Sequence, residues 1–151
     1  MVLSAFCLGW AYESGEYRKI REVVSMMKIP QTFASQILAG LVRAQLAASK
    51  AGKDGGYILT RAPSDITMLE IIEAGEGPLR AARCALKDGP CQWDFVCPLH
   101  WIWGDATDAF RNSLASVTLE TLMENDKALE LGTFRMPIES HRPGTFDLSK
   151  K

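Results

Sequence analysis

Apolar residues along the first third of the chain recur at helical spacing, and breakers divide them into three short segments. Val2–Glu13 is apolar almost throughout, reads as a buried helix and stops at Ser14-Gly15. A second helix spans about Arg18–Met27, with Ile20, Val23, Val24 and Met27 on one face. Lys28-Ile29-Pro30 ends it, because proline disfavours helical geometry in the residue before it. A third helix runs from Gln31 or Thr32 to Gln45; its spacing turns Phe33, Ile37, Leu38 and Leu41 inward and leaves Thr32, Ser35, Gln36 and Arg43 outward. Two short strands follow, Leu46–Ser49 and Tyr57–Thr60, joined by the lysine- and glycine-rich stretch Lys50–Gly56.

Helix, turn, helix and basic hairpin is the order of a winged helix-turn-helix. The outward face of the third helix is short, polar and almost uncharged, which suits a major groove where amides and hydroxyls meet base edges. The alternative is a plain solvated face. Lys50 and Lys53 on the hairpin are placed to meet phosphates. Beyond the linker Arg61–Asp65, Thr67 caps a helix over Met68–Ala74 in which Glu70 completes a capping box. Pro98 then opens an amphipathic helix to about Ser116, with Ile102, Ala106, Ala109, Phe110 and Leu114 along one face, and a short helix over Thr118–Asn125 follows. The long helix supplies a dimer interface or packs on its own domain.

The expected fold is therefore mainly α with a small β-wing. A winged helix-turn-helix DNA-binding domain covers 1–78, a cysteine-rich loop 79–98, dimerisation helices 99–131 and a flexible tail 132–151, where Pro137 and Pro143 interrupt any periodicity.

With 151 residues, 47% hydrophobic and 23% charged, the composition is that of one soluble globular domain. The net charge of −1 hides an asymmetry: residues 1–61 carry eight Lys/Arg and four Asp/Glu, and residues 62–151 carry nine and fourteen. A basic first part joined to an acidic second part fits a polyanion-binding module attached to a sensing or dimerising one. The apolar run Val2–Tyr12 is too short to span about 30 Å of hydrocarbon and follows no Lys or Arg, so a cytoplasmic protein without membrane association is expected.

Thiols stay reduced in that compartment, and clustered cysteines there point to metal rather than disulfides. Cys84-x6-Cys91-x5-Cys97-x2-His100 gathers four soft or borderline ligands in seventeen residues. Asp88, Gly89 and Pro90 let the intervening backbone bend so that the sulfurs can converge to about 2.3 Å from one metal. His100 either joins them or is a solvent-facing residue of a helix N-terminus beside Trp101. Cys7, alone in an apolar helix, reads as buried packing. Trp93, Trp101 and Trp103 either shield a metal centre or, more simply, fill a dimer core.

Taken together, Ile29-Pro30, Gln36-Ile-Leu-x2-Leu41, Gly55-Gly56-Tyr57-x-Leu59, Pro63-x2-Asp65-Ile-Thr67, Ile71-Ile72-x-Ala74-x2-Gly77, the three cysteines and Thr118-Leu-x2-Leu122 resemble the Rrf2 (Rrf-two) family of bacterial regulators, which includes iron–sulfur members of the IscR, NsrR and RirA type. The resemblance covers roughly residues 2–125. It implies a homodimeric winged-helix transcription factor that binds double-stranded operator DNA with an affinity set by an iron–sulfur cluster. By the same resemblance, Thr32, Phe33, Ser35 and Gln36 fall on the DNA-contacting positions of the third helix, and Cys84, Cys91 and Cys97 on the three cluster cysteines. His100 matches the histidine that completes a 2Fe–2S site in IscR-like members, so 2Fe–2S is favoured over 4Fe–4S. Two departures stand out. Ala51 replaces a frequent basic wing residue, leaving its role to Lys50 or Lys53, and the chain begins later than the family's first strand, from which some members supply an acidic ligand.

Two other function classes remain open. The Cys/His order lies close to that of CCCH zinc fingers, which bind single-stranded RNA with aromatic residues such as Trp93 and Phe95. A clusterless repressor sensing thiol oxidation through the same cysteines is the other. No Ser-His-Asp order or phosphate-binding glycine loop is present, and no enzyme activity is expected.

Overall fold

The computed structural model describes residues 1–79, 93 and 96–133. Three helices, a hairpin and three further helices follow in order: α1 (Val2–Tyr12), α2 (Ile20–Met27), α3 (Gln31–Arg43), β1 (Ala47–Lys50), β2 (Gly56–Leu59), α4 (Met68–Glu76), α5 (Leu99–Ala115) and α6 (Leu119–Glu130), with a 3-10 turn at Pro63–Asp65 before α4. No helix among the described residues is long and apolar enough to cross a membrane.

The centre of the molecule is α1. Ser4, Ala5, Phe6, Cys7, Leu8, Gly9 and Ala11 are all buried, which explains why its sequence shows no polar face. Helices α2, α3, α4 and α6 and strand β2 all pack on it. Gly9 permits the approach of α6, since a Cβ there would sit 2.7 Å from the Met123 sulfur. Val23, Leu38, Leu41, Leu46, Leu59, Ile66, Ile71 and Leu119 complete the core, each contributing about 1.5–3 kcal/mol when fully buried.

Helix α2 ends at Lys28, which takes the left-handed conformation (φ 52°), and Ile29-Pro30 leads straight into α3. The core takes up Ala34, Leu38 and Leu41 from α3, a stripe turned by one position from the one the spacing suggested. Phe33, expected inward, is therefore 53% exposed, whereas Thr32, Ser35, Gln36 and Arg43 face solvent as expected. The helix closes with the Leu46 N–H donating to the Leu41 carbonyl (2.9 Å) around a left-handed Gln45 (φ 59°). Leu46 thus belongs to the helix cap, and β1 begins one residue later than the apolar pattern implied.

Strands β1 and β2 pair antiparallel from Ala47↔Leu59 to Lys50↔Gly56. Outside the hairpin, Arg18 and Tyr57 exchange both backbone hydrogen bonds at 2.9 Å, so the segment before α2 adds a rung to the wing. The capping box of α4 is formed: Glu70 N–H donates to Thr67 Oγ1 (3.2 Å) and Thr67 N–H to Glu70 Oε2 (2.8 Å). Burial pushes the Glu70 carboxyl up, but the Thr67 N–H, the Arg61 guanidinium at 2.7 Å and the Thr67 hydroxyl together hold it below its ordinary value.

A second bridge, Thr67↔Thr118, fastens the start of α6 beside the start of α4, with Met68 N–H on the Val117 carbonyl and Leu119 N–H on the Ile66 carbonyl, each 2.8 Å. Helix α6 runs on to Glu130, past the expected Asn125, because Met123 packs against the core and Asp126 is buried. Helix α5 differs from the others in that it has no fully buried residue. Leu114 reaches the core, but Ile102 (66% exposed) and Phe110 (55%) leave its apolar face uncovered in the single chain.

Candidate nucleic-acid interface and cysteine-histidine turn

Rigid packing beneath α3 presents its polar face. Ala34 and Leu38 seat the helix, and Thr32, Phe33, Ser35 and Gln36 project from the first two turns. Ser35 Oγ donates to the Gln31 carbonyl at 3.0 Å, which leaves the hydroxyl oxygen as an acceptor toward solvent. The exposed Gln36 amide offers a donor and an acceptor together, the pair needed to read an adenine edge.

The wing carries cations beside this face. Lys50 Nζ lies 5.7 Å from the centroid of the Tyr17 ring, a cation–π arrangement that anchors its stem, and Lys53 stands at the exposed tip. The tip closes through Gly55 N–H on the Gly52 carbonyl at 3.1 Å. Lys19 and Arg21, which the helical pattern placed within the second helix without a role, also line the groove between α2 and the wing. Their signal in the sequence was the cluster Arg18-Lys19-x-Arg21; only the Arg18–Tyr57 bridge places it against the hairpin.

Of the four metal-ligand candidates, Cys97 and His100 are described, while Cys84 and Cys91 lie outside the described residues. Cys97 precedes Pro98, the N-cap of α5, and the His100 N–H donates to the Cys97 carbonyl at 3.0 Å. That backbone bond keeps Cys97 and His100 close together at the start of α5, and a thiolate and an imidazole are both ligand types that a soft metal accepts. The donor set thus fits a soft metal centre. Among the described residues no group of three or more Cys, His, Asp or Glu gathers on its own, so Cys97 and His100 need further ligands from outside them. The His100 ring packs edge-on to Trp101 with centroids 5.3 Å apart. Trp93 and Trp101 are exposed in the single chain and fill no core there.

Cys7 is a different thiol. It is fully buried, donates to the Met26 sulfur at 3.4 Å, and burial pushes it up to about 11, with Arg18 lowering and Glu22 raising it by smaller amounts. A thiol held protonated in the core is a packing group.

A helix-turn-helix with an exposed polar second helix, a basic two-stranded wing and a long trailing helix defines a winged helix-turn-helix protein. The chain belongs to the Rrf2 family, whose model, described as an iron-dependent transcriptional regulator, matches residues 7–125. It is 31% identical over 124 residues to the HTH-type transcriptional regulator IscR of Cronobacter sakazakii, covering 82% of this chain and 75% of that protein. Its fold is similar to that of T. potens IscR (TM-score 0.65, 23% identity, 90% of this chain and 87% of the other). It is also similar to that of CymR, the global cysteine regulator of B. subtilis (TM-score 0.64, 24% identity, 81% and 88%). The protein is accordingly an IscR-like transcriptional regulator of the Rrf2 family.

Proposed function

We propose that this regulator binds operator DNA as a homodimer, with an affinity set by an iron–sulfur cluster held by Cys84, Cys91 and Cys97 with His100 as fourth ligand. The observation that carries the reading is the place of the Cys97–His100 turn, which forms the start of α5. That same helix leaves Ile102 and Phe110 uncovered for a second copy and is tied to α4 of the winged-helix core through Arg111 and Glu73. A cluster, when bound, supplies a centre whose charge and ligation respond to redox state and small molecules. The chain's own contribution is to anchor two ligands on the helix that spaces the two recognition helices. A dimer reading half-sites about 34–36 Å apart is sensitive to small changes there. Thr32, Phe33, Ser35 and Gln36 meet bases, and Lys50 and Lys53 meet phosphates.

Anaerobic purification followed by visible and resonance Raman spectra, iron and sulfide analysis, and titration of operator and random duplexes tests this reading. Visible absorption with bound iron, and operator affinity that changes on cluster loss, are expected. Absence of specific DNA binding in every cluster state would sink it. The three clustered cysteines also admit a second reading, a clusterless regulator responding to thiol oxidation at Cys84, Cys91 or Cys97. Iron-free protein whose operator affinity changes with a thiol oxidant would favour that reading.

A further inference from the structure

Four cations converge on one groove of about 540 Å³ between the start of α2 and the wing: Lys19, Arg21, Lys50 and Lys53. Gln31, the first residue of α3, forms part of its wall, and no Asp or Glu lines it. The groove is built by backbone rather than by side-chain chance. The reciprocal Arg18–Tyr57 bonds at 2.9 Å clamp the Lys19 segment to β2. That approach needs Gly56, where a Cβ would stand 2.5 Å from the Arg18 carbonyl oxygen, and the wing turn needs Gly55, where a Cβ would strike the Lys50 carbonyl. Glu22, adjacent to Arg21 in sequence, accepts the Lys19 backbone N–H at 3.1 Å and lies 4.0 Å from the Arg18 guanidinium, and Asp54, adjacent to Lys53, is exposed and does not line the groove. Glu22 caps α2, and among the described residues Lys19, Arg21, Lys50 and Lys53 form no ion pair with a carboxylate.

We propose that this groove seats duplex backbone phosphates, which makes Lys19 and Arg21 DNA contacts alongside Lys50 and Lys53; the inference rests on the DNA-binding reading above. Like charges brought together repel one another, and a polyanion relieves that repulsion on entering. Because Gln31 lines the groove, it opens on the N-terminal end of the recognition helix. A strand whose bases meet Thr32 and Gln36 has its phosphates directed into it. The backbone clamp holds the walls in place beforehand, so little ordering opposes binding.

The test uses the full chain with Lys19→Gln, Arg21→Gln and the double variant, titrated with operator and random duplexes over a range of salt. Each single change is expected to weaken both duplexes alike and to lower the slope of log Kobs against log salt by about one unit per protomer, about two for the dimer, and the double variant by about four. Unchanged thermal midpoints confirm the fold, and Arg21→Lys should keep the wild-type slope. A wild-type slope in the folded double variant overturns the proposal while leaving DNA binding intact. Weakening confined to operator also overturns it, since that marks base reading. Wild-type protein that binds neither duplex defeats the DNA reading and this inference together.

Discussion

Arg111 of α5 pairs with Glu73 of α4, and the same guanidinium nitrogen donates to the backbone carbonyl of Leu79. Glu73 Oε1 also accepts the Leu79 N–H at 2.9 Å, so one ion pair fixes both backbone polar groups of Leu79, three residues beyond the end of α4. The Arg111 side chain is about two-thirds buried and that of Glu73 about three-quarters, where an ion pair is screened less than at the open surface.

Replacing Arg111 by Ala should lower the free energy of unfolding by about 1–2 kcal/mol, because a charged hydrogen bond and a carbonyl partner are lost together. Arg111→Lys should restore part of it. Urea denaturation reads both, and a midpoint unchanged in the Ala variant would mean that the pair holds nothing.

Gln36→Ala should reduce discrimination between operator and random DNA by about 1–3 kcal/mol, whereas Lys53→Ala should weaken both duplexes alike and lower the salt slope by about one unit per protomer. Competition titrations at two salt concentrations separate the two effects. An unaltered specificity ratio in Gln36→Ala would displace the recognition surface from this face of α3.

His100→Ala should retain cysteine-bound iron while shifting the visible and resonance Raman spectra or shortening the lifetime of the centre in air. The turn that carries His100 is closed by its backbone bond to Cys97, so the helix should survive the change. Identical spectra and lifetimes would remove His100 from the ligand set.

Cys7 predicts a pH dependence of stability. Its folded thiol titrates near 11 and its unfolded thiol near 9. Above pH 9 the unfolded chain releases this proton while the folded chain keeps it, so stability falls as pH rises toward 11 and is unaffected by this group below 9. The loss amounts to roughly 2–3 kcal/mol. Denaturant midpoints of wild type and Cys7→Ala compared across that window isolate it: the difference between the two proteins should shrink with rising pH, and a constant difference would contradict the buried, protonated thiol.

By itself, the sequence determined what depends on near neighbours along the chain. Apolar runs, helical spacing and breakers located the six helices of the described residues, Ile29-Pro30 the turn before α3, Thr67 and Glu70 the cap of α4, and Gly55-Gly56 the wing, because these signals act within a few residues. Cys97 and His100 were legible as a pair for the same reason, being one helical turn apart. Tertiary structure decided what depends on distant segments. Phe33 turned outward because the floor under α3 comes from other elements, which accept Ala34, Leu38 and Leu41 instead. Thr67 and Thr118, 51 positions apart, bring α6 back to α1, and the bridge from Arg18 to Tyr57 gathers Lys19 and Arg21 beside Lys50 and Lys53. Hydrogen bonds and packing between such remote residues leave no period in a linear pattern, so only the folded chain shows that two separate basic stretches form one groove.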